Sequence, residues 1–173
     1  MLEDSITLVG FMGAGKTTIS EMMVDYFLCD LISLDSEIEI YENKKISNIF
    51  SEFGEEYFRN IESKILNNIS YKKNIILDLG GGTFIRENNR KILKENNIKS
   101  IFLNVSFDAI CKRLENQRDY RPLLSGDDWK NTAKKIFDFR YDFYKMADFT
   151  IDVNDGDSIK VVFENVLKYC NSK

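Results

Sequence analysis

Near the start of the chain, Gly10-Phe11-Met12-Gly13-Ala14-Gly15-Lys16-Thr17-Thr18 fits the phosphate-binding pattern G-x-x-x-x-G-K-[ST]. Backbone N–H groups of such a loop can wrap the inner phosphates of a nucleotide. The positive end of the helix that follows faces the same anion. Lys16 would reach the outer phosphates, and the Thr17 hydroxyl would ligate Mg²⁺. The string sits where the chemistry needs it, after the apolar run Ile6-Thr7-Leu8-Val9 and before a helical pattern. The bland alternative is a glycine-rich turn with a surface lysine. A GTPase would also want D-x-x-G after one strand and N-K-x-D after a later one. Asp78-Leu79-Gly80-Gly81 fits the first loosely. Asn43-Lys44-Lys45-Ile46 ends in the wrong residue for the second and reads as part of a helical region.

Further residues could do chemistry in pairs and clusters. Asp35 follows the second apolar run, where a carboxylate could accept a proton or hydrogen bond from a substrate hydroxyl; Asp is also a favoured helix N-cap. Arg59 and Glu62, three apart within Phe53–Glu62, share a helix face. They read either as a solvated surface pair or as an arginine aimed by Glu62 to grip a carboxylate through two parallel hydrogen bonds. Gly80-Gly81-Gly82 is costly in chain entropy, which favours a place where something must approach the backbone; a mobile turn is the other reading. Arg118 and Arg121 lie in a polar stretch with the single proline, Pro122, between two helical patterns. Arg140 and Tyr144 lie four apart on an aromatic-rich helix whose Phe137, Tyr141 and Tyr144 read as core. A buried guanidinium beside them would need a partner. With no histidine in the chain, Ser-His and Cys-His nucleophile schemes and His-based metal sites are excluded.

These residues need elements to position them. Apolar runs of strand length recur at Ser5–Val9, Leu31–Leu34, Asn74–Leu79, Ser100–Val105 and Phe149–Val153. Between them lie helical patterns. Ile19, Met22, Met23, Tyr26 and Phe27 form one stripe, and Phe58, Ile61, Ile65 and Ile69 mark another within Glu55–Ser70. Asp108–Gln117 follows Ser106 as its N-cap, and Trp129–Met146 and Ser158–Tyr169 complete the set. Strands alternating with helices predict a parallel sheet covered on both faces, with ligands at the carboxyl ends of the strands.

Bulk properties bound the partners. A chain of 173 residues is one domain by length, with 43% hydrophobic and 30% charged residues, an ordinary globular balance. Net charge is −4, which argues against non-specific nucleic-acid binding. The acidic start Met1-Leu2-Glu3-Asp4 reads as no signal peptide, and no apolar stretch approaches a membrane span. Cys29, Cys111 and Cys170 are odd in number and widely spaced, reading as reduced thiols of a cytoplasmic protein.

In this order and spacing, the segments Gly10–Thr18, Asp35–Glu39, Phe53–Glu62, Gly80–Gly82, Arg121–Leu124 and Arg140–Tyr144 resemble the shikimate kinase family nearly end to end. The resemblance implies an α/β, three-layer P-loop kinase fold over residues 1–173. Its five-stranded parallel sheet would run in order 2-3-1-4-5, with helices on both faces and a lid at about 117–128. It implies a monomer that uses ATP and Mg²⁺ to phosphorylate the 3-hydroxyl of shikimate, a step of aromatic amino-acid synthesis.

Roles follow from the same resemblance. Gly13, Ala14, Gly15, Lys16, Thr17 and Thr18 hold the phosphates, with Thr17 on the metal. Asp35 orients the attacking hydroxyl, either by positioning it alone or also as its base. Arg59 and Arg140 clamp the substrate carboxylate, and Gly80, Gly81 and Gly82 meet the substrate through backbone. Arg121 reaches the transferring phosphate, and Arg113 flanks adenine.

Two departures stand out. The family carries D-x-D where this chain has Ser33-Leu34-Asp35, and Asp78 stands where the family has a small polar or apolar residue. Asp78 could supply, through water, the metal-supporting carboxylate that Ser33 lacks, or it could merely cap the glycine turn. After the last strand, Asn154-Asp155-Gly156 offers no arginine, and no adenine contact is assigned there. Two other functions compete: a P-loop kinase for another hydroxyl substrate such as gluconate or a nucleoside monophosphate, and a weakened nucleotide-binding regulator.

Overall fold

The computed structural model describes residues 2–115 and 128–171. Arg118, Arg121 and nearly all of the stretch read as a lid lie outside the described residues. Five short strands, Ile6–Val9 (β1), Asp30–Ser33 (β2), Ile75–Asp78 (β3), Lys99–Val105 (β4) and Phe149–Val153 (β5), pair in parallel in the order β2-β3-β1-β4-β5. The inner strands are continuous apolar runs because helices cover both faces; Ile76 and Leu77 of β3 are fully buried. The helices are Lys16–Phe27 (α1), Leu34–Glu42 (α2), Ile46–Ile69 (α3), Glu87–Glu95 (α4), Phe107–Leu114 (α5), Trp129–Tyr144 (α6) and Ile159–Asn171 (α7). Among the described residues, no helix is long and apolar enough to cross a membrane.

All strands point the same way, so the loop Gly10–Gly15, the start of α2 and the glycine triplet emerge from one end of the sheet. Local chemistry sets the details. Gly15, at φ 97, turns the chain into α1 through a left-handed conformation that glycine adopts without strain. Ser33, not Asp35, caps α2: its hydroxyl accepts from the Ser36 N–H at 3.3 Å, leaving Asp35 in the first turn. Helix α3 is broken at Gly54, which takes φ 82 and ψ 174, so the helix expected from Glu55 starts there and a further helical stretch from Ile46 precedes it. Glu39 accepts from the Ile46 N–H at 3.0 Å, so its carboxylate faces the positive end of α3. Asn43-Lys44-Lys45 is the turn between α2 and α3 rather than part of a helix; Asn43 closes α2 at φ 49. Ser106 caps α5 as expected, accepting from Ala109 N–H at 3.2 Å, but α5 is described only to Leu114. A single 3₁₀ turn, Thr83–Ile85, and α4 fill the crossover from β3 to β4.

Candidate active site

A cleft of about 830 Å³ opens at the carboxyl end of the sheet and brings together the motifs singled out in the sequence. At one end, Gly13, Ala14, Gly15, Lys16, Thr17 and Thr18 line it, with both threonines exposed to it at the start of α1. Lys16 Nζ donates to the carbonyls of Gly10 at 2.9 Å and Phe11 at 3.2 Å, which holds its ammonium across the loop. Arg113, reaching over from α5, donates to the carbonyls of Gly13 at 3.3 Å and Ala14 at 3.4 Å. Asp157, Ile159 and Val162 close this end of the cleft. Sequence reasoning missed those three, because an aspartate in a turn and two aliphatics of an amphipathic helix carry no motif.

At the other end the glycine triplet organises the site. A Cβ on Gly80 would stand 3.5 Å from Asp35 Oδ1, one on Gly81 3.1 Å from an Arg140 guanidinium nitrogen, and one on Gly82 2.7 Å from an Arg59 guanidinium nitrogen. Gly81 and Gly82 therefore make room for the guanidinium groups of Arg140 and Arg59, brought from α6 and α3, while Gly80 lies at ordinary contact distance from Thr83 and from Asp35 of α2. The mobile-turn reading fails. The turn is tied down by Thr83 N–H to Gly80 C=O at 3.1 Å and by the Tyr144 hydroxyl to Gly81 C=O at 2.7 Å. Asp78 does not cap it; among the described residues its carboxylate makes no hydrogen bond.

Arg59 is not a solvated surface pair. Its guanidinium donates to Glu62 Oε1 at 2.9 Å, and Glu62 is only 1% exposed. The same oxygen accepts from Thr83 Oγ1 at 2.8 Å, and Asn89 Nδ2 in turn holds the Thr83 carbonyl at 2.9 Å. Glu55 accepts from the outer side of Arg59 at 3.3 Å. Glu62 Oε2 is buried and has no partner among the described residues. Thr83 and Asn89 were not legible as site residues, since nothing local marks them. Tyr144 is core, as read, at 1% exposed, and its hydroxyl also serves the turn.

The electrostatics sharpen the division of labour. Burial pushes the Asp35 carboxyl up to about 6, and the nearby charges of Glu62 and Asp78 add to this while Arg59 opposes it. Burial also raises Asp78, against the pull of Lys16. Asp78 and Ser33 are register partners on adjacent parallel strands, so their side chains stand on the same face of the sheet.

Comparison with known proteins agrees with the geometry. The family model described as shikimate kinase matches residues 12–171. The chain is 40% identical over 169 residues to the shikimate kinase of Dictyoglomus turgidum, covering 94% of this chain and 95% of that one. It is 36% identical over 150 residues to that of Caldicellulosiruptor bescii, covering 87% and 86%. Among solved structures it is similar to the shikimate kinase from Acinetobacter baumannii in complex with shikimate. There the TM-score is 0.84 at 29% identity, with 98% of this chain and 93% of that chain covered. A deoxyadenosine kinase from M. mycoides shares the fold alone, with a TM-score of 0.61 at 20% identity over 98% of this chain and 100% of that one.

Proposed function

The chain belongs to the shikimate kinase family and phosphorylates the 3-hydroxyl of shikimate with ATP and Mg²⁺ in aromatic amino-acid synthesis, and we propose that the residues of its cleft divide that work as follows. Gly13, Ala14, Gly15, Lys16, Thr17 and Thr18 hold the triphosphate, and Arg113 braces the loop and flanks the base. Arg59 and Arg140 grip the shikimate carboxylate from the two sides of the glycine triplet. Asp35 orients the acceptor hydroxyl and takes its proton. Arg121 reaches the transferring phosphate from outside the described residues. The donor set fits a hard cation: an exposed Thr17 hydroxyl and carboxylates in one cleft are the oxygen ligands that Mg²⁺ takes beside phosphates. When bound, the metal neutralises charge on the transferring group.

One observation carries this reading. The three glycines of Gly80–Gly82 each sit against one of Asp35, Arg140 and Arg59, at the far end of the same cleft as Lys16. Phosphoryl transfer needs positioning and neutralised charge more than covalent help, and two arginines explain how a chain of net charge −4 can hold an acidic substrate. We read the chain as one domain over residues 1–173. We take it to act as a cytoplasmic monomer that engages neither nucleic acid nor membrane; its widely spaced cysteines and acidic balance support that reading.

A coupled assay for ADP release tests the assignment. Shikimate-dependent ADP is the expected result. ADP formed only with gluconate or a nucleoside monophosphate would point to another acceptor. Tight ATP binding without turnover would point to a regulator. A finer check is Gly82→Ala. The added methyl would stand 2.7 Å from a guanidinium that Glu62 and Glu55 already hold in place, so Arg59 must leave its aim. The KM for shikimate should rise about tenfold, the low end of a lost charge-assisted hydrogen bond. The KM for ATP should stay within a factor of about two, since the change lies at the far end of the cleft.

A further inference from the structure

Among the described residues, four carboxylates line the cleft: Asp35, Glu62, Asp78 and Asp157. Three are accounted for. Asp35 faces the acceptor, Glu62 holds Arg59 and Thr83, and Asp157 accepts from the Asn154 N–H at 2.8 Å to close its own turn. Asp78 makes no hydrogen bond or ion pair among the described residues, and the positive charge nearest in effect is that of Lys16.

Its position is informative. Asp78 ends β3, the strand between β2 and β1, and its register partners are Ser33 on one side and Leu8 on the other. It therefore projects where β1 hands over to the phosphate loop. In parallel strands about 4.8 Å apart, register partners present their side chains on one face, so a carboxylate on either can serve the same space. Ser33 brings no charge there, and its hydroxyl is spent on the Ser36 N–H. Thr17 offers a hydroxyl but no charge. Mg²⁺ gives up its waters reluctantly and is usually held by one or two carboxylates beside the phosphates. Glu21, the other acid whose charge Asp78 feels, does not line the cleft.

We propose that Asp78 anchors, through water, the Mg²⁺ that Thr17 ligates, supplying from β3 the carboxylate that its cross-strand partner Ser33 lacks. The inference rests on the ATP-dependent reading above and deepens it. It makes the metal site of this chain a transposed one, in which the charge has moved one strand inward while the face of the sheet is kept.

The test uses the full chain with ADP and Mn²⁺, whose spin reports bound metal directly by electron paramagnetic resonance. The parent is expected to bind Mn²⁺ in the presence of ADP. Asp78→Asn should weaken the Mn²⁺ affinity of that complex by about tenfold or more, as loss of an outer-sphere partner does. ADP affinity without metal should stay within about twofold, a fold-change too small to reflect a lost phosphate contact. Adding Ser33→Asp to Asp78→Asn should restore most of the metal affinity. That arm also separates a lost metal anchor from damage to the fold, which a second acid would not repair.

An unchanged Mn²⁺ affinity in Asp78→Asn would overturn the proposal. So would a loss that Ser33→Asp leaves in place. Failure of the parent to bind ADP at all would instead strike at the nucleotide reading on which the inference stands.

Discussion

Replacing Asp35 with Asn is expected to cut kcat for shikimate phosphorylation by about 10²–10⁴-fold, the usual worth of a positioned acid–base group, while stabilising the ligand-free protein at neutral pH. The two effects have one source. Burial, helped by Glu62 and Asp78, raises the Asp35 carboxyl to about 6 from an ordinary 3.8. A base with that affinity for protons is well matched to a substrate hydroxyl near neutral pH. It is also a charge the folded protein holds at a cost. The folded-state value is raised, so the folded protein binds this proton more readily than the unfolded chain. The penalty is present in full above about 6 and is relieved as pH falls towards 3.8. Asn carries no such penalty.

Because Asp35 is exposed to solvent where it lines the cleft, solvent screens part of the effect, and about 1 kcal/mol is a fair discounted figure. In a domain of this size that is about 2–4 °C in Tm. Calorimetry should show the gain of Asp35→Asn over the parent above the raised value, shrinking to nothing below the ordinary carboxylate range. In the parent, kcat/KM should fall as pH drops through about 6, and that limb should be missing from the residual activity of Asp35→Asn. Persistence of the limb would assign the proton to another group.

What could be read from the sequence was chemistry carried by near neighbours. The phosphate loop is contiguous, so its glycines, Lys16 and Thr17 declare themselves. Arg59 and Glu62 share a helix face by spacing alone. Whether that pair is solvated or buried depends on Thr83, which arrives from another segment to donate to Glu62. The triplet Gly80–Gly82 announces a close approach but not what approaches. The answer, Asp35, Arg140 and Arg59, lies on three helices that only the assembled sheet brings to one end.

Competition between neighbours decided other points. Asp35 is a good cap by type, yet Ser33 takes the cap and thereby frees the carboxylate for the cleft. Helix α4 escaped notice because its segment, Glu87–Glu95, buries only Asn89, Ile92 and Leu93, too short a stripe to stand out from a polar connection. The first part of α3 is hidden for a related reason. Gly54 does break the helix, and the stretch ahead of it buries only Ile49, too little to mark a stripe. The opposition of Asp78 to Ser33 needed strand register, which residue type alone does not carry.

Arg59→Ala and Arg140→Ala are expected to look alike in binding and unlike in folding. Each removes one arm of the carboxylate grip. Lost charge-assisted hydrogen bonds of about 1.5–3 kcal/mol should raise the KM for shikimate by about 10–150-fold in either variant, with the KM for ATP little changed. The difference lies in what each guanidinium leaves behind. Arg140 rests against the backbone of Gly81 and the hydroxyl of Tyr144, and among the described residues it forms no ion pair, so its removal strands no charge. Arg59 is the cation bonded to Glu62, a carboxylate only 1% exposed and already carrying one oxygen without a partner among the described residues. Truncating one member of a buried pair typically costs about 3–5 kcal/mol, most of it the penalty on the orphaned charge. Chemical denaturation should therefore show Arg59→Ala losing about 3 kcal/mol, and Arg140→Ala about 1 kcal/mol or less. Adding Glu62→Gln to Arg59→Ala removes the stranded charge while keeping an acceptor for Thr83. It should recover most of the lost stability and leave the raised KM where it was. Unaltered KM values in both single variants would dismiss the grip. A raised KM without the stability loss in Arg59→Ala would show that Glu62 aims the arginine without depending on it.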